Sequence, residues 1–317
     1  MRLIAAFLAV TLIVQPCFAW SEGGHHLIAV LAFELLTADQ QQELLTVLKA
    51  HPRFAEDFRP PTRTTEPVEV ARWLIGRAGY WPDVARSQPM FTRPQWHYQL
   101  GATLTAGELS NVPARPGPLP INATMESEQL HIAQAIELVR GVLRDKRRPK
   151  SDRALAICWL THLVADAHQP CHAGSLYYAG VFAGGDRGAN AIPTKQSKNL
   201  HALWDGLLGP FYDEGDVLRR ERSIVADQPV WNEARQAAEA ANGLDPLIWL
   251  AESSHCGRTH VYTKEVMAPI EAVASGSVAK LPEIDLSETY LKSAGELARK
   301  RAAFAARRLA RILADNL

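Results

Sequence analysis

The 317-residue sequence has no excess of charge of either sign, since 34 Lys and Arg stand against 34 Asp and Glu. This balance excludes a protein that gathers nucleic acid through a strongly basic overall field. Four cysteines are too few for a fold held together by disulfides. No apolar run reaches the roughly 20 residues that a membrane-spanning helix needs. A hydrophobic content of 47% with 21% charged residues instead indicates a globular chain with a sizeable core.

The first 19 residues have the pattern of a secretory signal peptide. Arg2 supplies a positive start, residues 3–14 form a short apolar run, and residues 17–19 give a small-x-small cleavage site. Cleavage there predicts a mature chain of one domain, residues 20–317, that is secreted or periplasmic. We expect a monomer with no stable membrane association.

Three cysteines remain after the predicted cleavage site, namely Cys158, Cys171 and Cys256. In an oxidising compartment, three thiols allow at most one internal disulfide and leave one thiol free. The sequence does not choose which pair would form the bond.

Helical patterns dominate the rest of the sequence. Thr37 and Gln40 form a capping-box signature, and residues 126–146 place their apolar side chains on one face. Ser151 or Asp152 is expected to cap a strongly apolar helix that stops before Pro170. The last 30 residues predict a long helix with a solvated cationic side, and no segment shows convincing strand alternation. The chain is therefore predicted to be all-α, a single mainly helical domain.

Candidate metal ligands are concentrated between residues 160 and 172. His162 and Asp166 are four residues apart, so both side chains leave one face of the predicted helix, at the edge of an apolar surface. His172 follows just beyond the turn at Pro170. A His and Asp pair with a further His nearby favours metal binding over a hydrogen-bonded core histidine.

Other segments repeat parts of this chemistry. His201 and Asp205 have the same spacing of four, and Asp83 and His97 each lie within two residues of a tryptophan. At the predicted mature terminus, Trp20 would offer a free amine and a carbonyl oxygen, with His25 and His26 close behind.

At these residues the chain resembles the zinc-dependent, single-strand-specific nucleases of the S-one/P-one type, over essentially the whole mature chain. The resemblance implies the all-α fold that these nucleases share with phospholipase C, with a trinuclear zinc site. The motifs that carry it are Trp20 with His25, Trp81-x-Asp83, His97-Tyr98, His162-x3-Asp166-x5-His172, Asn199-Leu-His201-x3-Asp205, Trp249-x-x-Glu252-Ser253 and Arg308-Leu309-Ala310.

The resemblance implies three Zn²⁺ ions per chain and assigns their ligands. One ion of a close pair would be held by Asp83, His97, His162 and Asp166, and Asp166 would bridge to the second ion, held by Trp20 and His25. The third ion would be held by His172, His201 and Asp205. His26 competes with His25, and only the family spacing from Trp20 favours His25.

The resemblance also implies an endonuclease that hydrolyses single-stranded DNA and RNA to 5′-phosphorylated products, with 3′-nucleotidase activity left open. Asp166 and Arg86 would be catalytic, the arginine by neutralising the phosphate. Tyr98 would stack on a base, and Asn190 would contact substrate from a glycine-rich loop, residues 184–190. Where some fungal relatives have an Asp that contacts the base, this chain has Leu100.

Two other functions remain open at the level of sequence. A phospholipase C-type zinc phosphodiesterase would share the helical three-zinc architecture but act on a lipid headgroup, and no obvious interfacial amphipathic helix favours it. A zinc-binding or nucleic-acid-binding protein without catalysis is less consistent with the full set of nine expected ligands, since structural zinc sites usually close their shell with Cys and His.

Overall fold

The computed structural model describes residues 20–317, so the predicted signal peptide lies outside the described residues. The described chain is mainly helical, as predicted. Its helices are α1 (Glu22–Phe33), α2 (Ala38–Leu48), α3 (Phe54–Asp57), α4 (Pro67–Val84), α5 (Ile132–Arg144), α6 (Lys150–Ala167), α7 (Leu200–Gly206), α8 (Glu214–Ala226), α9 (Gln228–Glu239), α10 (Pro246–Cys256), α11 (Lys264–Ala274) and α12 (Glu288–Asn316). No helix in this part of the chain is long and apolar enough to cross a membrane.

Local signals fix several helix ends. At the start of α2, Thr37 accepts a hydrogen bond from the Gln40 backbone while the Gln40 side chain accepts from the Thr37 backbone, so the predicted capping box is confirmed.

The predicted starts of two other helices, α5 and α6, were wrong. α5 begins at Ile132 rather than near residue 126, because His131 has an extended backbone and its N–H is capped by the side chain of Gln134.

The predicted start of α6 was also displaced. The helix begins at Lys150, with Pro149 as its N-cap, so Ser151 and Asp152 lie inside the first turn rather than capping it. The Pro149 carbonyl accepts the N–H groups of Asp152 and Arg153, which starts the helical ladder. The expected stop before Pro170 is confirmed, because α6 ends at Ala167.

α6 is the central helix of the fold. Every residue from Ala156 to Ala167 is buried, so the helix is apolar nearly all round and contacts α1, α2, α4, α5, α10 and α12. Such a helix must be surrounded by others, since no face of it can meet water without cost. The polar residues His162 and Asp166 are thus placed inside the bundle.

A small sheet was missed by the sequence analysis. Strands β1 (Ala102–Ala106) and β2 (Ser175–Tyr178) pair in parallel, with Ala102 opposite Ser175 and Ala106 opposite Tyr178. The strands are only five and four residues long, and the register is irregular between Ala102 and Leu104. Such short segments show no readable alternation, and their pairing depends on residues far apart in sequence.

The long final helix α12 was predicted, but its cationic side is only partly solvated. Arg301 and Arg308 are buried, and both donate hydrogen bonds to the carboxylate of Glu252 on α10. The expectation of a wholly solvated cationic face was wrong for these two residues.

None of the three cysteines in the described part of the chain is joined in a disulfide. Cys158 and Cys171 are buried, and Cys256 is half-buried.

Candidate metal centre

The predicted ligands converge from separate elements. α1 carries His25, α4 carries Asp83 and α6 carries His162 and Asp166, while His97 lies in the segment that leads into β1. α1 and α4 pack on each other and on α6, so three helices present polar groups to one point. We call these five residues, His25, Asp83, His97, His162 and Asp166, the close-pair cluster.

The close-pair cluster contains two overlapping groups of donors. His25, His162 and Asp166 form one, and Asp83, His97 and His162 form the other. In each group the donor atoms lie within 4.8 Å of one another, and every residue is buried. The two groups share His162, so their centres are adjacent.

A second set of donors comes from turns and a short helix. His172 ends a 3-10 turn, Pro170–His172, that follows α6, while His201 and Asp205 leave one face of α7. We call these three residues the third cluster. Their donor atoms also lie within 4.8 Å of one another, and Asp205 Oδ2 is 3.4 Å from His201 Nε2.

Backbone carbonyls orient three of the imidazoles. Nδ1 of His162 donates to the carbonyl of Gly79 at 2.8 Å, because a carbonyl can only accept. In the same way, Nδ1 of His172 donates to the His97 carbonyl and Nδ1 of His201 donates to the Gly188 carbonyl. A neutral ring held in this way carries its lone pair on Nε2, toward the cluster, as outer partners of metal-binding histidines commonly arrange.

The donor set fits a cation better than it fits a hydrogen-bonded core. In the third cluster the Nε2 atoms of His172 and His201 face each other at 3.2 Å, and two lone pairs at that distance repel unless a positive charge lies between them. In the close-pair cluster, Asp83 Oδ2, Asp166 Oδ1 and both ring nitrogens of His25 are buried without a hydrogen-bond partner among the described residues. Buried polar atoms in such numbers need a ligand.

Electrostatics of the close-pair cluster support this assignment. Burial raises the pKa of Asp166 to about 6, and burial lowers the pKa of His25 and His97 well below the usual value. Burial would also lower the pKa of His162, but the carboxylates of Asp166 and Asp83 outweigh it and raise that pKa. The carboxylates therefore draw positive charge onto His162, while His25 and His97 stay neutral. A divalent zinc ion among these donors would supply that positive charge.

The mature terminus predicted from the sequence lies against both clusters. Trp20 is fully buried, and its indole N–H donates to the Ala165 carbonyl of α6 at 3.0 Å. The next residue, Ser21, donates its backbone N–H to the carbonyl of Asp205 at 3.0 Å. The Trp20 side chain is thus bonded to α6 of the close-pair cluster, and the backbone of the next residue is bonded to α7 of the third cluster.

In the structure His25 lies at the close-pair cluster, and the neighbouring His26 does not. His25 Nε2 is 3.4 Å from Asp166 Oδ1, whereas His26 belongs to no donor group of the described chain. The His26 ring instead packs against Tyr212, with ring centroids 4.3 Å apart, and against Gly76, where a Cβ would come within 2.2 Å of Nδ1. Burial lowers the pKa of His26 to about 3, so it is a neutral packing residue.

The predicted catalytic arginine and the two predicted substrate-binding residues lie around the clusters. The guanidinium of Arg86 contacts Asp83 Oδ1 at 2.6 Å. The half-buried ring of Tyr98 meets His131 edge to face, with centroids 5.4 Å apart. Asn190 donates to the Arg187 carbonyl at 2.9 Å, and its oxygen accepts a hydrogen bond from Asn199, the N-cap of α7.

The glycine-rich loop has a strained backbone that serves the third cluster. Arg187, Gly188 and Ala189 have φ values of 61°, 60° and 69°, in the left-handed region that non-glycine residues avoid. Only glycine fits at position 188, because a Cβ would come within 2.3 Å of the Cys171 carbonyl oxygen. The conformation aims the Gly188 carbonyl at His201, and buried Asp186 anchors the loop by accepting from Tyr262 at 2.7 Å.

Two buried residues next to the ligands, His168 and Gln169, were given no role by the sequence analysis. His168 is fully buried: Nδ1 donates to the Val164 carbonyl at 2.7 Å, and Nε2 accepts from Arg308 at 2.8 Å. It therefore lies behind the ligands, inside the fold. Gln169 is likewise fully buried and contacts Asp205, and no sequence argument singled it out. The only signal was their place between ligands in the sequence.

Comparison with known proteins completes the description. No curated protein matches the chain with significant similarity. The sequence model of one family, described as S1/P1 nuclease, matches residues 20–317, which is the whole of the described chain. This family is zinc-dependent, in keeping with the His and Asp groups of the two clusters. The chain therefore belongs to the S1/P1 nuclease family and is a hydrolase that cleaves phosphodiester bonds of nucleic acids.

Proposed function

We propose that this protein is an exported endonuclease that uses three zinc ions to hydrolyse single-stranded DNA and RNA to 5′-phosphorylated products. The observation that carries the proposal is the convergence of three groups of buried His and Asp donors, with the Nε2 atoms of His172 and His201 only 3.2 Å apart. Removal of phosphate from 3′-nucleotides is a further activity to be assayed on the same site.

The proposed ligands divide between the two clusters. The close-pair cluster would hold two ions, with Asp166 shared between them. The amine and carbonyl oxygen of Trp20 would bind the second ion together with His25 once the signal peptide is removed. The third cluster would hold one ion. Zinc bound at these positions would supply Lewis-acid activation of water and stabilisation of negative charge on the phosphate.

The charges explain how a neutral protein attracts a polyanion. The carboxylates of Asp83, Asp166 and Asp205 are the only charged groups among the proposed ligands. Three dications against three carboxylates would leave a local charge of about +3, which dominates the field near the site. A strongly basic surface is therefore unnecessary, which agrees with the balance of 34 cationic and 34 acidic residues.

Arg86 is the proposed partner of the reacting phosphate. Its guanidinium is held against Asp83 at 2.6 Å, beside the close-pair cluster, and its side chain is only 17% exposed. A fixed guanidinium offers several N–H donors in one plane, which match the oxygens of a phosphate. We propose that Arg86 neutralises charge as it develops on the phosphorus oxygens.

Selectivity for single strands follows from access and stacking. The donors are buried, so a phosphate in a stiff duplex would not reach them, whereas a flexible strand can turn its backbone inward. Tyr98 directly follows His97 and is braced by His131, so a base could stack on the Tyr98 ring while its phosphate reaches the ions. Stacking accepts any base, so we propose little sequence specificity, with Asn190 as a further contact.

The first experiment measures zinc per chain by elemental analysis on protein whose N-terminus is sequenced as Trp20, followed by cleavage of single-stranded DNA. About three zinc ions with chelator-sensitive nuclease activity would support the proposal. One zinc or none in protein purified without chelator would refute the three-ion assignment.

Variants separate the proposal from its rivals. Asp166→Asn should reduce nuclease activity by more than about 100-fold, because it removes the shared carboxylate. The matched control is Asp285→Asn, an exposed aspartate paired with Lys195, which should behave as wild type. Hydrolysis of phospholipid without nuclease activity would instead favour a phospholipase C-type zinc phosphodiesterase. Tightly bound zinc with no turnover of either substrate would favour a non-catalytic binding protein.

A further inference from the structure

Gln169 joins the two segments that form the third cluster. It lies in the turn between α6 and His172, and it is fully buried. Its side-chain N–H donates to Asp205 Oδ1 at 2.7 Å, and its side-chain oxygen accepts the backbone N–H of Cys171. The residue therefore connects the turn that presents His172 with the helix that presents Asp205.

The orientation of the Gln169 amide is determined by its partners. The Cys171 backbone N–H can only donate, so it needs the amide oxygen, and the ionised Asp205 carboxylate can only accept, so it needs the amide NH₂. A flipped amide would lose both hydrogen bonds. The side chain is thus fixed in one arrangement at both ends.

This arrangement divides the two oxygens of Asp205 between two tasks. Oδ1 accepts from Gln169, while Oδ2 lies on the side of His201, 3.4 Å from its Nε2. A carboxylate held in this way presents one chosen oxygen to the centre of the cluster. Without Gln169, the Asp205 side chain could rotate about its last bond, and the turn would lose its link to α7.

We propose that Gln169 is a positioning residue that sets the affinity of the third cluster for its ion, independently of the close-pair cluster. The inference rests on the proposed function, since it needs an ion at His172, His201 and Asp205. Outer partners of metal ligands commonly change metal affinity by roughly 10- to 100-fold when removed. The Gln169 side chain hydrogen-bonds to Asp205 and to the Cys171 backbone, and only its backbone N–H donates to a close-pair ligand, at the Asp166 carbonyl. A side-chain substitution keeps that backbone bond, so its effect should fall on one ion of three.

The test uses the zinc-loaded mature protein and the variant Gln169→Met, which keeps much of the volume but removes both hydrogen bonds. Zinc release is followed by competition with a chromogenic chelator, which counts the ions and ranks their affinities. One ion should be released at a chelator concentration roughly 10- to 100-fold lower than in wild type, and two ions should be unchanged. The control is Gln196→Met, because Gln196 makes a similar amide–carboxylate contact with Asp285 at the surface.

A double-mutant comparison separates positioning from a general loss of structure. If Gln169 acts through Asp205, then Gln169→Met should have no further effect on zinc release in an Asp205→Ala background. Equal weakening of all three ions, an additive effect with Asp205→Ala, or wild-type release from Gln169→Met would each overturn the inference.

Two safeguards keep the test decisive. If Gln169→Met does not fold, Gln169→Asn keeps a polar amide that is too short to make both contacts, and the same selective release is expected. Wild-type zinc content is measured first. Fewer than three ions there would be a failure of the proposed function, whereas three ions in wild type with no selective loss in the variants would be a failure of this inference alone.

Discussion

The two clusters of the metal centre are built from different kinds of structure. In the close-pair cluster, four of the five residues lie on α1, α4 and α6, which are long helices packed on one another. In the third cluster, His172 ends a turn and the other two residues lie on the seven-residue α7. The first is held by helix packing, and the second is held by individual hydrogen bonds.

The two clusters should therefore differ in how they respond to single substitutions. The close-pair cluster is held in place by many apolar contacts between helices, so the loss of one contact should change its geometry little. The third cluster depends on a few named groups, among them the Gly188 carbonyl on His201 and the Gln169 amide on Asp205. The two clusters are also joined, because the His97 carbonyl accepts from His172. Single substitutions that remove one hydrogen bond should therefore weaken zinc binding more at the third cluster than at the close-pair cluster.

The largest effect on stability is expected at Glu252, behind the junction of the clusters. Its carboxylate accepts from Arg301 at 2.7 Å and from Arg308 at 2.7 Å, and Arg308 in turn holds His168. Glu252→Ala would leave two buried guanidinium groups without a carboxylate partner and should lower the free energy of unfolding by about 3 kcal/mol. Denaturant unfolding of the zinc-loaded protein measures it.

The matched control for Glu252 is Glu233→Ala. Glu233 also pairs with a cation of α12, Lys300, at 2.8 Å, but at the exposed surface. Its loss should cost less than about 1 kcal/mol. Equal costs for the two variants would show that the buried network does not support the end of α6.

The next effect concerns the strained loop of the third cluster. Gly188→Ala would bring a Cβ within 2.3 Å of the Cys171 oxygen at a φ of 60°, so the loop must shift and the carbonyl that orients His201 moves with it. We expect a loss of about 2 to 3 kcal/mol in the free energy of unfolding. We also expect selective weakening of one zinc ion in chelator competition.

The same loop offers the control Gly184→Ala. No atom lies within 4 Å of the Cβ position there, and its φ is not positive. That variant should keep wild-type stability and zinc content. Equal weakening of all ions in Gly188→Ala would remove the distinction between the two clusters.

A smaller effect is expected from acid, on the helix that supports the close-pair cluster. His51 packs edge to face on Trp81 of α4, with centroids 4.3 Å apart. Burial lowers the pKa of His51 to about 4, despite the opposing carboxylate of Asp57. Between that value and about 6.5, the unfolded chain binds a proton that the folded chain does not, so the stability is present above pH 6.5 and is lost as the pH falls.

The acid effect can be isolated by substitution. From pH 6.5 to 5, His51 should account for a loss of about 1 to 2 kcal/mol in the free energy of unfolding. His51→Leu should flatten this part of the stability curve, and His255→Leu, at an exposed histidine of α10, should not. A wild-type pH slope in His51→Leu would contradict the prediction.

The smallest effect is expected far from both clusters. Thr37→Ala removes the hydroxyl that caps α2 and should lower the free energy of unfolding by about 1 kcal/mol. Zinc content and nuclease activity should stay unchanged. Loss of zinc from this variant would mean that zinc binding depends on the overall stability of the fold rather than on the hydrogen bonds around the metal centre.

Much of the fold was predictable because its signals are local. The capping box at Thr37, the stop of α6 before Pro170 and the length of α12 all follow from neighbouring residues. The starts of α5 and α6 were misplaced by two to six residues, because His131 and Pro149 are unusual caps. The strands β1 and β2 were missed because each is stable only through the other.

The sequence by itself determined the chemistry of this protein: which residue types could bind metal, and that His162 with Asp166 and His201 with Asp205 would share helix faces, since the helical period is fixed by the backbone. Only the tertiary structure decided which of His25 and His26 turns toward Asp166, which ring nitrogen of each histidine is presented, and that Gln169 holds Asp205. The physical reason is that burial and hydrogen bonding are set by partners from distant parts of the chain, such as Gly79 for His162, which no local pattern contains.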